Sequence, residues 1–354
     1  MPVNLTRVAD PALAGFDDII DVRSPSEFAE DHLPGAINLP VLDDEERARV
    51  GTIYKQVSPF DARKLGAALV ARNAARHISE VLTDRDGAWK ALVYCWRGGQ
   101  RSGSFATILR QIGWRIDTIE GGYKSWRALV VDLVQNGPVA APVVVLDGNT
   151  GSAKTAVLHR LAKRGAQIID LEGLARHRGS LFGAMRGGQP SQKMFEGKLA
   201  LALEGLDPAH PVLVEAESSR VGDLLVPKAL WQAVCAAPRI RLEVPLGERA
   251  AYSARDYRDV VEEPERLDAI IAALSPLHPA ERIEGWLAQA KAGEWRELAE
   301  GLMRDHYDPR YRKHRERYAA REKAVVPVSS LQDLDAVAGQ VEAALERLRG
   351  QGRG

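Results

Sequence analysis

The chain has 354 residues, 45% of them apolar and 27% charged, with Lys plus Arg equal to Asp plus Glu at 48 each. That length supports more than one hydrophobic core, and the composition is that of an ordinary globular protein. A formal net charge of zero excludes a chain whose bulk charge alone would draw nucleic acid to it.

No apolar run approaches membrane-spanning length, and Met1-Pro2-Val3-Asn4 lacks a charged-then-apolar leader. The expectation is a cytoplasmic chain with no membrane partner. Cys95 and Cys235 are the only cysteines, too few for a disulfide framework or a structural zinc site. A single working thiol in a reducing compartment is the natural use of such a set.

In chain order, Ile19-Ile20-Asp21-Val22 reads as a buried strand, and a short helix begins at Ser26-Glu27-Phe28 after Pro25. Residues 61–82 carry a helical apolar stripe that includes Leu65, Leu69, Ile78 and Val81. A strand follows at Ala91 to Tyr94, then a helix with Phe105, Ile108, Leu109 and Ile112, and a strand near 116–119. Strands alternating with helices predict an α/β unit with a mainly parallel sheet over residues 1–135. The polar and Pro/Gly-bearing stretch 136–142 reads as a linker. A second α/β unit, 143–354, opens with the apolar strand Val143 to Leu146. It includes a helix-rich region at about 250–322 with Trp286, Leu287, Trp295, Leu298 and Leu302 as inward anchors. A strand at 324–328 and an amphipathic helix at about 331–348 close the chain.

The first chemical constellation is Tyr94-Cys95-Trp96-Arg97-Gly98-Gly99-Gln100-Arg101-Ser102. It places a thiol at a strand tip facing a helix N-terminus, whose unpaired N–H groups favour negative charge. Cys95, Arg97, Gly98, Gly99 and Arg101 are the candidate catalytic residues. The second is Asp147-Gly148-Asn149-Thr150-Gly151-Ser152-Ala153-Lys154-Thr155, lying between an apolar strand and a helical segment as a phosphate loop requires. Gly148, Thr150, Gly151, Ser152, Lys154 and Thr155 are the candidate phosphate ligands, with Lys154 as point charge and Thr155 as hydroxyl for phosphate or Mg2+. Ala153 stands where such loops carry glycine. A left-handed backbone there costs about 1–2 kcal/mol, so the motif carries phosphate binding more firmly than nucleotide hydrolysis.

Asp170, Glu172, His177 and Arg178 lie in a polar, glycine-rich traverse between this loop and Glu215, Glu217 and Arg220 at an acidic strand end. All seven are candidates for a substrate-facing surface. Near the C-terminus, Arg310, Arg312, Lys313 and Arg315 sit in a basic cluster and are the candidate RNA-backbone contacts. A solvated helix face interleaved with Glu316 and Glu322 is the competing reading.

The first unit resembles the rhodanese family: Asp21-Val22-Arg23-Ser24-Pro25 and His32-Leu33-Pro34-Gly35-Ala36 look like its opening signature, and Gly121-Gly122-Tyr123-Lys124-Ser125-Trp126 like its closing one. In that family the cysteine carries sulfur as a persulfide. The loop here is one residue longer than in common sulfurtransferases, and Cys, five residues and Arg also suits phosphatases of the Cdc type. The fusion to a phosphate-loop unit, with Gly51-Thr52-Ile53-Tyr54-Lys55-Gln56, Asp170-Leu171-Glu172-Gly173-Leu174, Gln189-Pro190-Ser191-Gln192 and Tyr307-Asp308-Pro309-Arg310-Tyr311, resembles the bacterial tRNA 2-selenouridine synthases.

The resemblance implies a transferase acting on the tRNA anticodon loop, with selenophosphate and geranyl diphosphate as co-substrates. It implies no tightly bound cofactor, Mg2+ as a candidate ion, and selenophosphate synthetase as a candidate partner. The alternatives are a sulfurtransferase or Cys-dependent phosphatase fused to an ATP-dependent kinase-like module, and a binding module whose two loops only sense and dock.

Overall fold

The computed structural model describes residues 2–257 and 262–351. It separates into two compact units: Met1–Gly137 with Pro190–Glu204, and Pro138–Gln189 with Gly205–Gly354. Each has its own five-stranded sheet in which every neighbouring pair runs parallel. The α/β expectation therefore holds for both.

In the first unit the strands are β1 (Pro2–Val3), β2 (Asp18–Asp21), β3 (Ala36–Asn38), β4 (Lys90–Tyr94) and β5 (Arg115–Ile119), in spatial order β1-β5-β4-β2-β3. Strand β4 is central, and Ala91, Leu92, Val93 and Tyr94 are all buried, as a strand covered on both faces requires. Helices Pro59–Glu80 and Gln100–Ile112 supply Val70, Ala74, Phe105 and Leu109 to the core. Helix Pro25–Glu30 begins as its sequence dictates: Ser24 and Glu27 form a capping box and Pro25 takes the first turn.

Helix Gln192–Glu204 belongs to this unit, although the sequence places it within the second segment. Arg127 pairs with its Glu196 and donates to Lys193 O at 3.1 Å, and Gly197 lies under the Trp126 ring. The stretch expected as a linker from 136 starts one residue later, because helix Gly122–Val131 continues as a wide π turn to Asn136.

In the second unit, β6 (Val143–Asp147), β7 (Gln167–Ile169), β8 (Val212–Glu215), β11 (Arg239–Glu243) and β12 (Glu322–Pro327) are ordered β12-β11-β6-β8-β7. A hairpin of β9 (Arg220–Val221) and β10 (Leu224–Leu225) lies apart from that sheet. Strand β6 has β8 and β7 on one side and β11 and β12 on the other, so the chain order reverses there, and parallel sheets leave a ligand crevice at the carboxyl end of such a strand. Helix Lys154–Lys163 and the closing helix Leu334–Gln351 cover one core through Val157, Leu161, Val337 and Val341. The helix-rich region forms a separate core around Leu267, Ile271, Trp286, Leu298 and Leu302, with the anchors read from sequence among its members; residues 258–261 of that region lie outside the described residues. Among the described residues no helix is long and apolar enough to cross a membrane.

Candidate active site

Strand β4 delivers Cys95 to the carboxyl edge of the first sheet, 3% exposed. The Ser102 hydroxyl, on the first turn of helix Gln100–Ile112, donates to its Sγ at 3.2 Å. The loop between them is pinned from behind: the Tyr123 and Lys124 N–H groups donate to Cys95 O at 2.9 Å and Trp96 O at 3.0 Å. Only glycine fits at two points. Gly98 has φ +65° and a Cβ there would stand 2.6 Å from Ile119 O; Gly122, at φ +62°, would overlap the Cys95 carbonyl oxygen and the Gly98 nitrogen.

Beneath the loop lies a buried ionic floor. Arg23, 1% exposed, is bonded to Asp21 at 2.6–3.1 Å and lies 4.0 Å from the Tyr123 ring centroid. Tyr123 donates to Asp31 at 2.7 Å, and Leu33 N donates to the Tyr94 hydroxyl at 3.1 Å. The family-like signature residues thus hold the loop's underside. Arg97 stands exposed on the loop. Arg101, expected to act beside it on an anion, is instead paired with Glu27 at 2.8 Å. Burial pushes the Glu27 carboxyl up, but Arg101, Ser24 N–H and Arg47 outweigh this and hold it below its ordinary value. The cation left facing solvent at this loop is Arg97.

The phosphate loop follows β6 in the second unit. Asp147 is braced by Arg239 at 3.2 Å and accepts the Gly148 N–H at 2.6 Å. Ser152 is spent within the loop, donating to Asn149 O at 2.7 Å. Ala153 adopts φ +57°, ψ +28°, the left-handed geometry in which its Cβ is costly, and that Cβ is buried in the core. Lys154 Nζ donates to Gly148 O at 3.0 Å. Desolvation lowers the Lys154 ammonium, but Tyr311, Glu217, Glu172 and Asp147 around it raise it further, so the cation is retained.

Thr155 donates to Glu172 at 2.7 Å, and Glu172 N donates to Glu215 at 2.9 Å. Glu172, on the cavity wall, and the buried Glu215 and Glu217 crowd together, and each carboxyl is raised above its ordinary value. Desolvation is the main cause and mutual repulsion the next for Glu215 and Glu217; Glu217 is pushed up to about 8. Among the described residues no group of three His, Cys, Asp or Glu could hold a metal ion.

A cavity of about 320 Å³ opens in front of this loop and is lined by Thr150, Gly151, Ser152, Lys154 and Thr155. Asp170, Glu172, His177 and Arg178 also line it. Asp170 additionally caps the helix Leu171–Ala175 by accepting from Gly173 N at 2.7 Å. Gly148, Glu215, Glu217 and Arg220 do not line it: the two glutamates are buried behind it and Arg220 is exposed on β9.

The sequence reading missed a brace. Arg249, 4% exposed, grips Asp308 with bonds of 2.7 and 2.9 Å and donates to Thr150 O, while Asn149 bonds both Asp308 and Arg315. Arg315, a candidate RNA contact, is therefore engaged with the loop, and Arg310 is hydrogen-bonded back to the His306 ring and carbonyl oxygen. Arg312 and Lys313 are exposed. An arginine on the buried face of helix Leu246–Asp256 was the available signal for the brace.

Both constellations fall inside segments that known families share. Residues 141–270 match the family described as the tRNA 2-selenouridine synthase AAA domain, and residues 6–129 match the rhodanese-like domain. The chain is 38% identical over 258 residues to the tRNA 2-selenouridine synthase of Aeromonas salmonicida, covering 72% of this chain and 68% of that protein. To the tRNA 2-selenouridine synthase of Cupriavidus pinatubonensis it is 34% identical over 337 residues, covering 86% and 90%.

The chain belongs to the tRNA 2-selenouridine synthase family. Within this tRNA 2-selenouridine synthase homologue, the Cys95 loop lies in the rhodanese-like segment and the phosphate loop in the AAA segment. The brace residues Asp308 and Arg315 and the exposed Arg312 and Lys313 lie beyond both matched segments.

Proposed function

We propose that the chain is a transferase that converts wobble 2-thiouridine in tRNA to 2-selenouridine in two stages, one at each loop. At the phosphate loop, the thiocarbonyl sulfur attacks C1 of geranyl diphosphate and the diphosphate departs against Lys154 and the loop N–H groups, which are placed to take developing charge. A thiocarbonyl sulfur is a poor leaving group; once S-alkylated it departs as a neutral thiol. At the Cys95 loop, the selenium of selenophosphate, the anionic donor drawn by Arg97, attacks C2 and the alkylated sulfur departs as geranyl thiol; water then cleaves the P–Se bond, releasing phosphate and leaving selenium on C2.

The observation that carries this reading is that two anion-holding loops, one with a thiol and one with a lysine, occur in a chain of this family. The Thr155 hydroxyl beside the Glu172 carboxylate is a donor set that Mg2+ accepts when phosphate and water complete its shell. An ion held there would supply further charge for the diphosphate. Arg312 and Lys313 are the proposed RNA contacts.

Mass spectrometry of wobble nucleosides from cells with and without the gene tests the reading: selenouridine and geranyl-thiouridine both disappear without it, and unchanged levels of both refute it. A Cys95→Ala chain should still geranylate 2-thiouridine RNA while failing to selenate it. Loss of both activities would refute the two-station scheme.

A further inference from the structure

A second, smaller cavity adjoins the phosphate cradle, and the two share Thr150, Ser180, Ser253 and Tyr257 in their linings. Beyond that shared rim its walls are mostly apolar, built by Phe182, Leu267, Trp295, Leu298, Leu302 and Met303, with the buried Tyr307 hydroxyl as a further polar group. The two spaces are joined by the phosphate loop itself. Gly151, at φ +80°, is so close to the apolar side that a Cβ on it would stand 2.6 Å from Met303 Cε and 2.7 Å from Ser253 Oγ.

A ligand with its charge on the loop N–H groups and Lys154 therefore has an apolar space as its nearest neighbour. A purine or pyrimidine base would leave its ring nitrogens and exocyclic groups facing hydrocarbon, a poor exchange for water. A hydrocarbon chain needs no polar partner and gains about fourfold in affinity for each CH2 group it buries.

We infer that this cavity holds the hydrocarbon tail of the donor whose diphosphate sits on the loop, and that Ala254 and Ala299, the small residues in its lining, set the chain length it accepts. The inference rests on the proposed use of a prenyl diphosphate and specifies where the prenyl group lies.

Calorimetric titration of the full chain with inorganic pyrophosphate, dimethylallyl diphosphate and geranyl diphosphate tests it. Affinity should rise along that series, at least tenfold from pyrophosphate to geranyl diphosphate. Ala299→Phe should remove at least tenfold of the geranyl affinity while pyrophosphate stays within about twofold. Ala254→Leu, on a different helix, should produce the same split and covers the case in which the first variant does not fold. Affinity independent of chain length, or geranyl binding unchanged in both variants, overturns the inference.

The proposed reaction can fail separately. Chain-length-dependent binding by a protein that leaves 2-thiouridine RNA unalkylated would uphold the cavity and refute the reaction. Alkylation with no chain-length dependence would do the reverse.

Discussion

At the Cys95 loop the left-handed positions are held by Gly98 and Gly122, packed against backbone with no room for a Cβ, whereas at the phosphate loop the position before the lysine is Ala153, equally left-handed but with its Cβ accommodated in the core. The surroundings differ in charge as well. The thiol lies over an ion pair, Asp21–Arg23, that is already neutralised, and its partner at Sγ is a neutral hydroxyl. Lys154 lies among Glu172, Glu215 and Glu217, an excess of acid that burial keeps partly protonated. A loop that presents its own reactive atom must fix that atom by steric necessity. The phosphate loop has such a point at Gly151, where a Cβ finds no room, but at Ala153 it accepts left-handed strain.

The largest test of that contrast is Gly122→Ala. Left-handed strain of about 1–2 kcal/mol adds to an overlap costing about 1–3 kcal/mol, so denaturant unfolding should show a loss of about 2–5 kcal/mol, with selenation lost. A stability within 0.5 kcal/mol of the parent, on the order of a neutral surface change, would mean the loop can open without cost.

Lys154→Met comes next. Single-turnover alkylation of 2-thiouridine RNA should slow by roughly 10²–10³-fold, while selenation of RNA supplied already alkylated continues. Equal losses in both assays would erase the distinction between the loops.

A smaller effect is expected with pH. Folded Glu217 keeps its proton up to about 8 whereas an ordinary glutamate releases it near 4.5. The unfolded chain therefore binds fewer protons in that window, and stability falls as pH rises through it. Glu217→Gln should flatten the fall in urea midpoint across this range; an unchanged slope would place the proton elsewhere.

The smallest effect should come from Ala153→Gly. Relief of left-handed strain, about 1–2 kcal/mol, is offset by the freer unfolded chain, about 0.4–1 kcal/mol, and by a lost buried methyl group, so the variant should stay within about 1 kcal/mol of the parent. A greater loss would show that the Cβ is a packing element rather than a tolerated departure.

Both loops were legible because their determinants are contiguous: an apolar strand, a glycine-bearing turn and an amphipathic helix follow one another within about twenty residues, and local propensity and hydrophobic period specify each part. Helix Asp44–Gln56 buries no residue, so no apolar stripe marks it in the sequence, and its start is held in the structure by the Asp43–Glu46 capping box. The two-residue strand β1 and three-residue β7 are too short to carry a period and exist only through their neighbours in the sheet.

By itself the sequence determined two parallel-sheet units, their thiol and lysine loops, and the left-handed question at Ala153. Only the tertiary structure decided that Arg101 is spent on Glu27, that Gln192–Glu204 joins the first unit, and that Arg249 and Asp308 brace the phosphate loop. The same holds for the convergence of three glutamates behind Lys154. Those pairings join residues distant in the chain, and their energies depend on how far water is excluded around them, a quantity that no local pattern of residues records.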